Sequence, residues 1–337
     1  MGSKVSIGLV GLGHIGGSLA LATRDHCSLL VFDSDKATIQ SARRLGLQAA
    51  HSLDELLKHC GIILFATPNP VLPHAISELL VSRRNSGLAS PLLIVDVAST
   101  KVETISSVAS VVADHHGVTH LSLHPMAGRE GSGFDSANPE VLYRSRWAET
   151  SSGFRADPGL SVELFEVLSR SIDFELIPLL AKTHDTAVAV VSHLPHVLAE
   201  ALGLSLGRLK EAPVARLLAA GSFASATRVA NGIPERIAEL CWANRALLYD
   251  EVEKFIETLT ELSESLHQSS PEEFLALVRQ GSTALAELSD PGEERTEKVV
   301  CKLGSFWENI EVMRDSGQRL AGFKLVGDMV SFDSLTS

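Results

Sequence analysis

The chain has 337 residues, 45% of them hydrophobic and 21% charged, enough apolar material for a large core and two domains of ordinary size. That balance excludes a wholly disordered protein. The formal net charge of −12 excludes one that works by coating nucleic acid or an anionic membrane, and any anionic substrate must be met by locally placed cations.

From Met1 the chain passes directly into an apolar run at residues 5–10, without the longer hydrophobic region of a signal peptide, which predicts a cytoplasmic protein. Further runs of Val, Ile and Leu at 29–32, 62–66, 92–95 and 121–123 alternate with helical-length segments, the pattern of a parallel sheet with crossover helices. Another strand is expected at 146–150, a helix at 158–170 and a last strand at 173–177, with Pro178 as the domain boundary. Residues 1–178 therefore read as an α/β Rossmann nucleotide-binding domain.

From 179 to about 288 apolar residues recur at helical spacing, as in Ala246, Leu247, Val252, Phe255, Ile256, Leu259 and Leu262. Residues 179–290 are expected to form an all-helical domain, with Thr183 and Ser270-Pro271-Glu272-Glu273 as helix starts. The apolar stretch 186–206 contains His193, Pro195, His196 and Glu200, which favour a buried helix pair or a subunit interface over a membrane span. Residues 291–337 read as an appended tail of one or two helices with no assignable function. Cys27, Cys60, Cys241 and Cys301 have no paired spacing and are expected as free thiols.

Gly11-Leu12-Gly13-His14-Ile15-Gly16 follows the first strand and opens a helix. Gly11 permits the tight turn, Gly13 lets backbone approach a pyrophosphate, and Gly16 permits close helix packing. His14 and Ile15 are spacers in this loop, the His14 ring facing solvent or cofactor. Thr67, after the third apolar run, is a further cofactor contact. Asp33 ends the second run, where a carboxylate accepts from both ribose hydroxyls and repels a 2′-phosphate, so NAD is expected rather than NADP.

Four later segments stand in order: Asp96-Val97-Ala98-Ser99-Thr100-Lys101, His124-Pro125-Met126-Ala127-Gly128-Arg129-Glu130, His184-Asp185 with Ser192-His193-Leu194-Pro195-His196, and Thr227-Arg228-Val229-Ala230. Together with the glycine turn they resemble the prephenate/arogenate (cyclohexadienyl) dehydrogenase family over residues 5–288. The resemblance implies a nucleotide domain followed by a helical domain that forms a homodimer. It also implies that His124 is the catalytic histidine, Ser99 the serine beside it and the nicotinamide, and Glu130 the acid that follows. By the same resemblance His184, His196 and Arg228 are substrate-binding residues, Arg228 for a carboxylate, with Arg129 as an added cation. Ala98 and Ile237 depart from the Gly and Trp that many members carry, without removing a reacting group.

The chemistry follows from side-chain properties as well. Removing hydride from a carbon bearing a hydroxyl needs a base for the hydroxyl proton, and neutral imidazole suits that near pH 7. His124 fits this role, with Ser99 placed to fix its tautomer. His193 is read as a core histidine. A zinc site at His184, His193 and His196 lacks the four-residue helical spacing, so no metal is expected. The expected reaction is NAD-dependent oxidative decarboxylation of prephenate to 4-hydroxyphenylpyruvate on the route to tyrosine, with no mutase segment and hence one activity. Arogenate or an amino-substituted analogue is the alternative substrate, and a catalytically silent nucleotide-binding regulatory dimer is the reading from another class.

Overall fold

The computed structural model describes residues 5–127, 131, 133–151, 156–268, 271–289 and 294–336. The apolar runs of the first half become strands and the segments between them helices: β1 (Ser6–Val10), α1 (His14–Thr23), β2 (Ser28–Phe32), α2 (Lys36–Arg44), α3 (Leu53–His59), β3 (Ile62–Phe65), α4 (Leu72–Asn85), β4 (Leu92–Asp96), α5 (Val102–Val112) and β5 (Val118–Pro125). β1 pairs in parallel with β2 and β3, β3 with β4, and β4 with β5. β3 and β4 are buried at every position, as strands covered on both faces must be. The order β2-β1-β3-β4-β5 reverses at β1, so the switch point of this doubly wound sheet lies at the ends of β1 and β3.

The sheet continues through β6 (Arg146–Glu149), antiparallel to β5, and, after α6 (Pro158–Ile172), β7 (Glu175–Pro178), parallel to β6. Asp157 starts α6 by accepting from the Leu160 amide at 2.9 Å, with Pro158 in the first turn where a missing N–H costs nothing.

From here only helices follow among the described residues up to 289: α7 (Ala181–Val188), α8 (Leu194–Arg208), α9 (Ala212–Leu218), α10 (Gly221–Thr227), α11 (Pro234–Ala243), α12 (Arg245–Gln268) and α13 (Pro271–Ser289). Pro271, Glu272 and Glu273 open α13 as expected, while Ser270 lies outside the described residues. Thr183 is not a helix start: α7 begins at Ala181. Between α7 and α8, Ala189–His193 is wound as a π turn just ahead of Pro195. Proline has no N–H for the bond to residue i−4 and its ring crowds that carbonyl, and a wider turn relieves both. The added residue re-phases everything after it, His196 included, by about 100° relative to an uninterrupted α-helix. By length and composition alone the 28-residue run Ala181–Arg208 is long and apolar enough to cross a membrane.

The C-terminal region corrects the expectation of a helical tail. It forms β8 (Arg295–Lys302), α14 (Phe306–Met313), β9 (Arg319–Val326) and β10 (Met329–Thr336), which extend the same sheet to 10 strands in the order β2-β1-β3-β4-β5-β6-β7-β9-β10-β8. β9 joins β7 through Leu176 and Leu320 and pairs antiparallel with β10. Phe323 lies 5.1 Å from Phe165 and 5.3 Å from Phe332 between ring centroids, so this segment supplies part of an aromatic core that α6 and β7 cannot close alone.

The chain divides into two compact units, Met1–His184 with Thr296–Thr336, and Asp185–Arg295. The division falls inside α7 rather than at Pro178, and the last segment belongs to the first unit instead of standing apart.

Candidate functional site

The glycine turn has the backbone a dinucleotide needs. Gly11 has φ +90°, and a Cβ there would lie 2.7 Å from the Ala66 carbonyl oxygen; a Cβ on Gly16 would lie 1.9 Å from that of Gly11. Neither position tolerates a side chain. Around Gly13 nothing lies within 4 Å of where a Cβ would be, which leaves room for a phosphate against the start of α1. Asp33 accepts from the Leu12 amide at 2.7 Å through one carboxylate oxygen and from the Asp35 amide at 2.8 Å through the other. Each oxygen keeps a lone pair for a ribose hydroxyl, so this acid braces the glycine loop and remains able to accept from a ligand. The Thr67 hydroxyl is buried with no hydrogen-bond partner, an orphan that a cofactor group would satisfy. Ile15 is half-buried at the start of α1.

His14 does not face solvent. The residue is 8% exposed, with Nδ1 2.9 Å from the Ser136 carbonyl oxygen and 3.0 Å from Ser136 Oγ. Ser136 is 122 residues away in sequence, which is why the glycine motif alone gave no sign of it.

At the end of β4 the side chain of Asp96 turns inward. Its Oδ1 accepts from the Ala98 amide at 3.0 Å and from Lys101 Nζ at 2.8 Å, and its Oδ2 lies 2.8 Å from His120 Nε2. Asp96 and Lys101 are fully buried. Burial alone would raise the Asp96 pKa, but the Lys101 ammonium and His120 outweigh it and hold the carboxyl well below the usual carboxylate range. Lys101 also donates to the Leu123 carbonyl, the residue before His124. The loop carrying Ser99 and the strand end carrying His124 are thereby tied to one buried charge cluster. Sequence reading missed His120 in this role, although an Asp and a Lys flanking the loop after a buried strand were visible.

His124 sits near the C-terminal end of β5, and its Nδ1 lies 2.9 Å from Nε2 of His184, the rings edge to face at 5.1 Å. His184, for which the resemblance implied a substrate contact, is 1% exposed and is a partner of the His124 ring. Ser99 is half-buried, and the hydrogen bond described at His124 Nδ1 runs to His184 rather than to Ser99. Two neutral imidazoles form such a bond only if one donates and the other accepts. With His124 Nδ1–H donating to His184 Nε2, the His124 tautomer is fixed with its proton on Nδ1.

In the second unit, His193 is fully buried, its Nδ1 3.3 Å from Asn244 Nδ2, and Asn244 donates to the Asp185 carbonyl at 2.7 Å. His193 is thus a core histidine, as its setting in the sequence implied. His196 follows the π turn half-buried, with Nδ1 buried and without a partner. Arg228 is exposed at the start of a 3₁₀ turn, Arg228–Asn231, that packs against α8. Arg129 and Glu130 lie outside the described residues.

Residues 19–158 match the family model described as the nucleotide-binding domain of prephenate dehydrogenase, and residues 180–280 match its dimerization domain. The chain belongs to the prephenate dehydrogenase family. It is similar to prephenate dehydrogenases of Lactococcus lactis subsp. cremoris (31% identical, over 76% of this chain and 69% of the relative) and Bacillus subtilis strain 168 (28%, over 80% and 72%). A crystal structure of prephenate dehydrogenase from Aquifex aeolicus, in complex with hydroxyphenyl propionate and NAD+, shares the fold with a TM-score of 0.74 at 21% identity, over 85% of this chain and 99% of that one. As a member of the prephenate dehydrogenase family the chain is an oxidoreductase, built in the expected order of a nucleotide-binding domain and a helical domain.

Proposed function

We propose that the protein is an NAD-dependent prephenate dehydrogenase, carrying out oxidative decarboxylation of prephenate to 4-hydroxyphenylpyruvate in tyrosine biosynthesis. The observation that carries this reading is the His124–His184 pair at the C-terminal edge of the sheet that holds the nucleotide loop. NAD is the cofactor, held by the Gly11–Gly16 turn, Asp33 and Thr67, and when bound it supplies the acceptor for the hydride. His124 takes the proton of the substrate hydroxyl through Nε2 while His184 fixes its tautomer and shares the charge that develops. Once the hydroxyl carbon has lost its hydride and proton, the ring carboxylate leaves as CO2. Its electron pair stays in the ring, which becomes aromatic.

Ser99 lies beside the nicotinamide position in this reading. His196, with an unsatisfied buried Nδ1, and Arg228, with a planar fork suited to a carboxylate, bind the dianion. These cationic and neutral donors favour prephenate, whose side chain ends in a keto acid, over arogenate, which carries an ammonium group there. The enzyme is cytoplasmic and works as a homodimer through Asp185–Arg295. Purified protein assayed by NADH absorbance with each substrate tests the assignment. Prephenate is expected to give the higher kcat/KM, and a preference for arogenate of about tenfold, about 1.4 kcal/mol, overturns it. Arg228→Gln is expected to cost about 1.5–3 kcal/mol of substrate interaction, appearing mainly in KM.

A further inference from the structure

Arg314 and Asp315, in the turn after α14, lie beyond the residues that the family models match, 19–158 and 180–280. Asp315 reaches back to the start of α7, which carries His184, and Arg314 to Glu149 on β6, the strand beside His124. Arg314 is 5% exposed at its side chain and donates through Nη1 to the Leu179 carbonyl at 2.7 Å and through Nη2 to Glu149 Oε2 at 3.2 Å. Glu149 is fully buried on β6, paired across the ladder with Leu123, the residue before His124. Its backbone carbonyl also receives the Leu179 amide at 2.8 Å.

Asp315 continues the contact along the chain. Its amide donates to the Pro178 carbonyl at 3.0 Å, its Oδ1 accepts from the Leu180 amide at 2.9 Å, and its Oδ2 accepts from the Thr183 hydroxyl at 3.0 Å. A carboxylate is thus set at the N-terminus of α7, where unpaired amides and the helix dipole favour it. Asp315 has φ +57°, a left-handed backbone that a non-glycine residue holds only when its surroundings fix it. His184 lies in the same first turn, its amide bonded to the Leu180 carbonyl at 2.9 Å, so what holds Leu180 and Thr183 orients the His184 ring.

We infer that Arg314 and Asp315 are positioning residues for the His124–His184 pair: through Glu149 and the first turn of α7 they lock the two histidine-bearing elements to each other. This rests on the reading of His124 as the base only for its kinetic consequence. A hydrogen bond between two imidazoles tolerates little misplacement, and a shift of about 1 Å at a reacting group costs up to about a hundredfold in rate.

The test uses the full chain with NAD bound, following the ring nitrogens of His124 and His184 by ¹⁵N NMR alongside kcat and KM. Asp315→Ala is expected to move the ring signals of both histidines and to lower kcat roughly 10–100-fold with KM for NAD unchanged. Asp315→Asn, which keeps an acceptor for the Leu180 amide and turns its amide toward the Thr183 hydroxyl, is expected to restore most of both. If Asp315→Ala does not fold, Thr183→Val removes one of the two side-chain bonds and is expected to move the same signals. Phe332→Leu loosens the core of the same segment without touching the clamp, and should lower Tm while the ring signals stay in place. Unmoved ring signals in Asp315→Ala, or in Thr183→Val where the former is unfolded, overturn the inference, as do equal changes in Phe332→Leu. Absence of turnover with both prephenate and arogenate would instead count against the proposed function, and the ring signals would still decide the clamp.

Discussion

At the scale of single residues, the proposed chemistry rests on two histidines. A His124 ring whose Nδ1–H is held by a second imidazole carries its lone pair on Nε2, and a positioned general base contributes roughly 10²–10⁴ in rate. His124→Asn is accordingly expected to lose about that factor in kcat while nucleotide binding, followed by NADH fluorescence, is retained; near-normal turnover would remove His124 from the mechanism. Asp96 acts differently, as a buried charge held between Lys101 and His120. Its folded-state pKa is depressed, so its stabilising contribution is present above the unfolded value of about 4 and is lost as pH falls below it. Urea unfolding from pH 7 down to about pH 3 should show that acid limb. Asp96→Asn should flatten it and cost about 3–5 kcal/mol at pH 7, because the buried Lys101 loses the Asp96 charge.

At the scale of elements, the site depends on where strands end and how the next segment leaves them. The glycine turn between β1 and α1 has no room for a side chain at Gly16, where a Cβ would lie 1.9 Å from the Gly11 carbonyl oxygen. Gly16→Ala must therefore spread the turn and displace the amides at the start of α1. The expected result is loss of NAD binding in calorimetry with circular dichroism little changed, since the strain is local. Tight binding in that variant would mean that the loop is not the phosphate cradle. The π turn before Pro195 is another element-level device, since it sets which way His196 emerges from α8.

For the whole molecule, the second unit leaves more apolar surface exposed than a monomeric helical domain normally does. Leu217 is 86% exposed, Leu218 76%, Trp242 70% and Leu266 68%. The family's dimerization domain covers this region, residues 180–280, and burial of such a surface against a second copy is the economical closed arrangement. Light scattering at micromolar concentration is expected to give a dimer. A monomer there would leave those side chains unexplained and remove the homodimer from the reading.

Much of this was written locally. The parallel strands, the glycine turn, Asp33 and the helical character of 179–289 follow from period-two and period-3.6 patterns and from turn chemistry, which neighbouring residues alone determine. The family motifs picked out His124 and His184 one by one, but only the fold set His184 Nε2 rather than Ser99 against the His124 ring, because these residues lie 60 apart in sequence. The same holds for His14, whose partner Ser136 is 122 residues on, and for the last strands. The buried positions of β10, Val330, Phe332 and Ser334, do alternate, but a serine at one of them and Asp333 among them obscured the pattern, and Phe323 on β9 packs against Phe165 and Phe174 some 150 residues earlier. Local pattern therefore determined most of the elements, and the family motifs named the candidate groups. Tertiary structure alone decided which groups meet, because hydrogen bonds and buried charges are satisfied by whichever side chains the sheet order brings within about 3 Å.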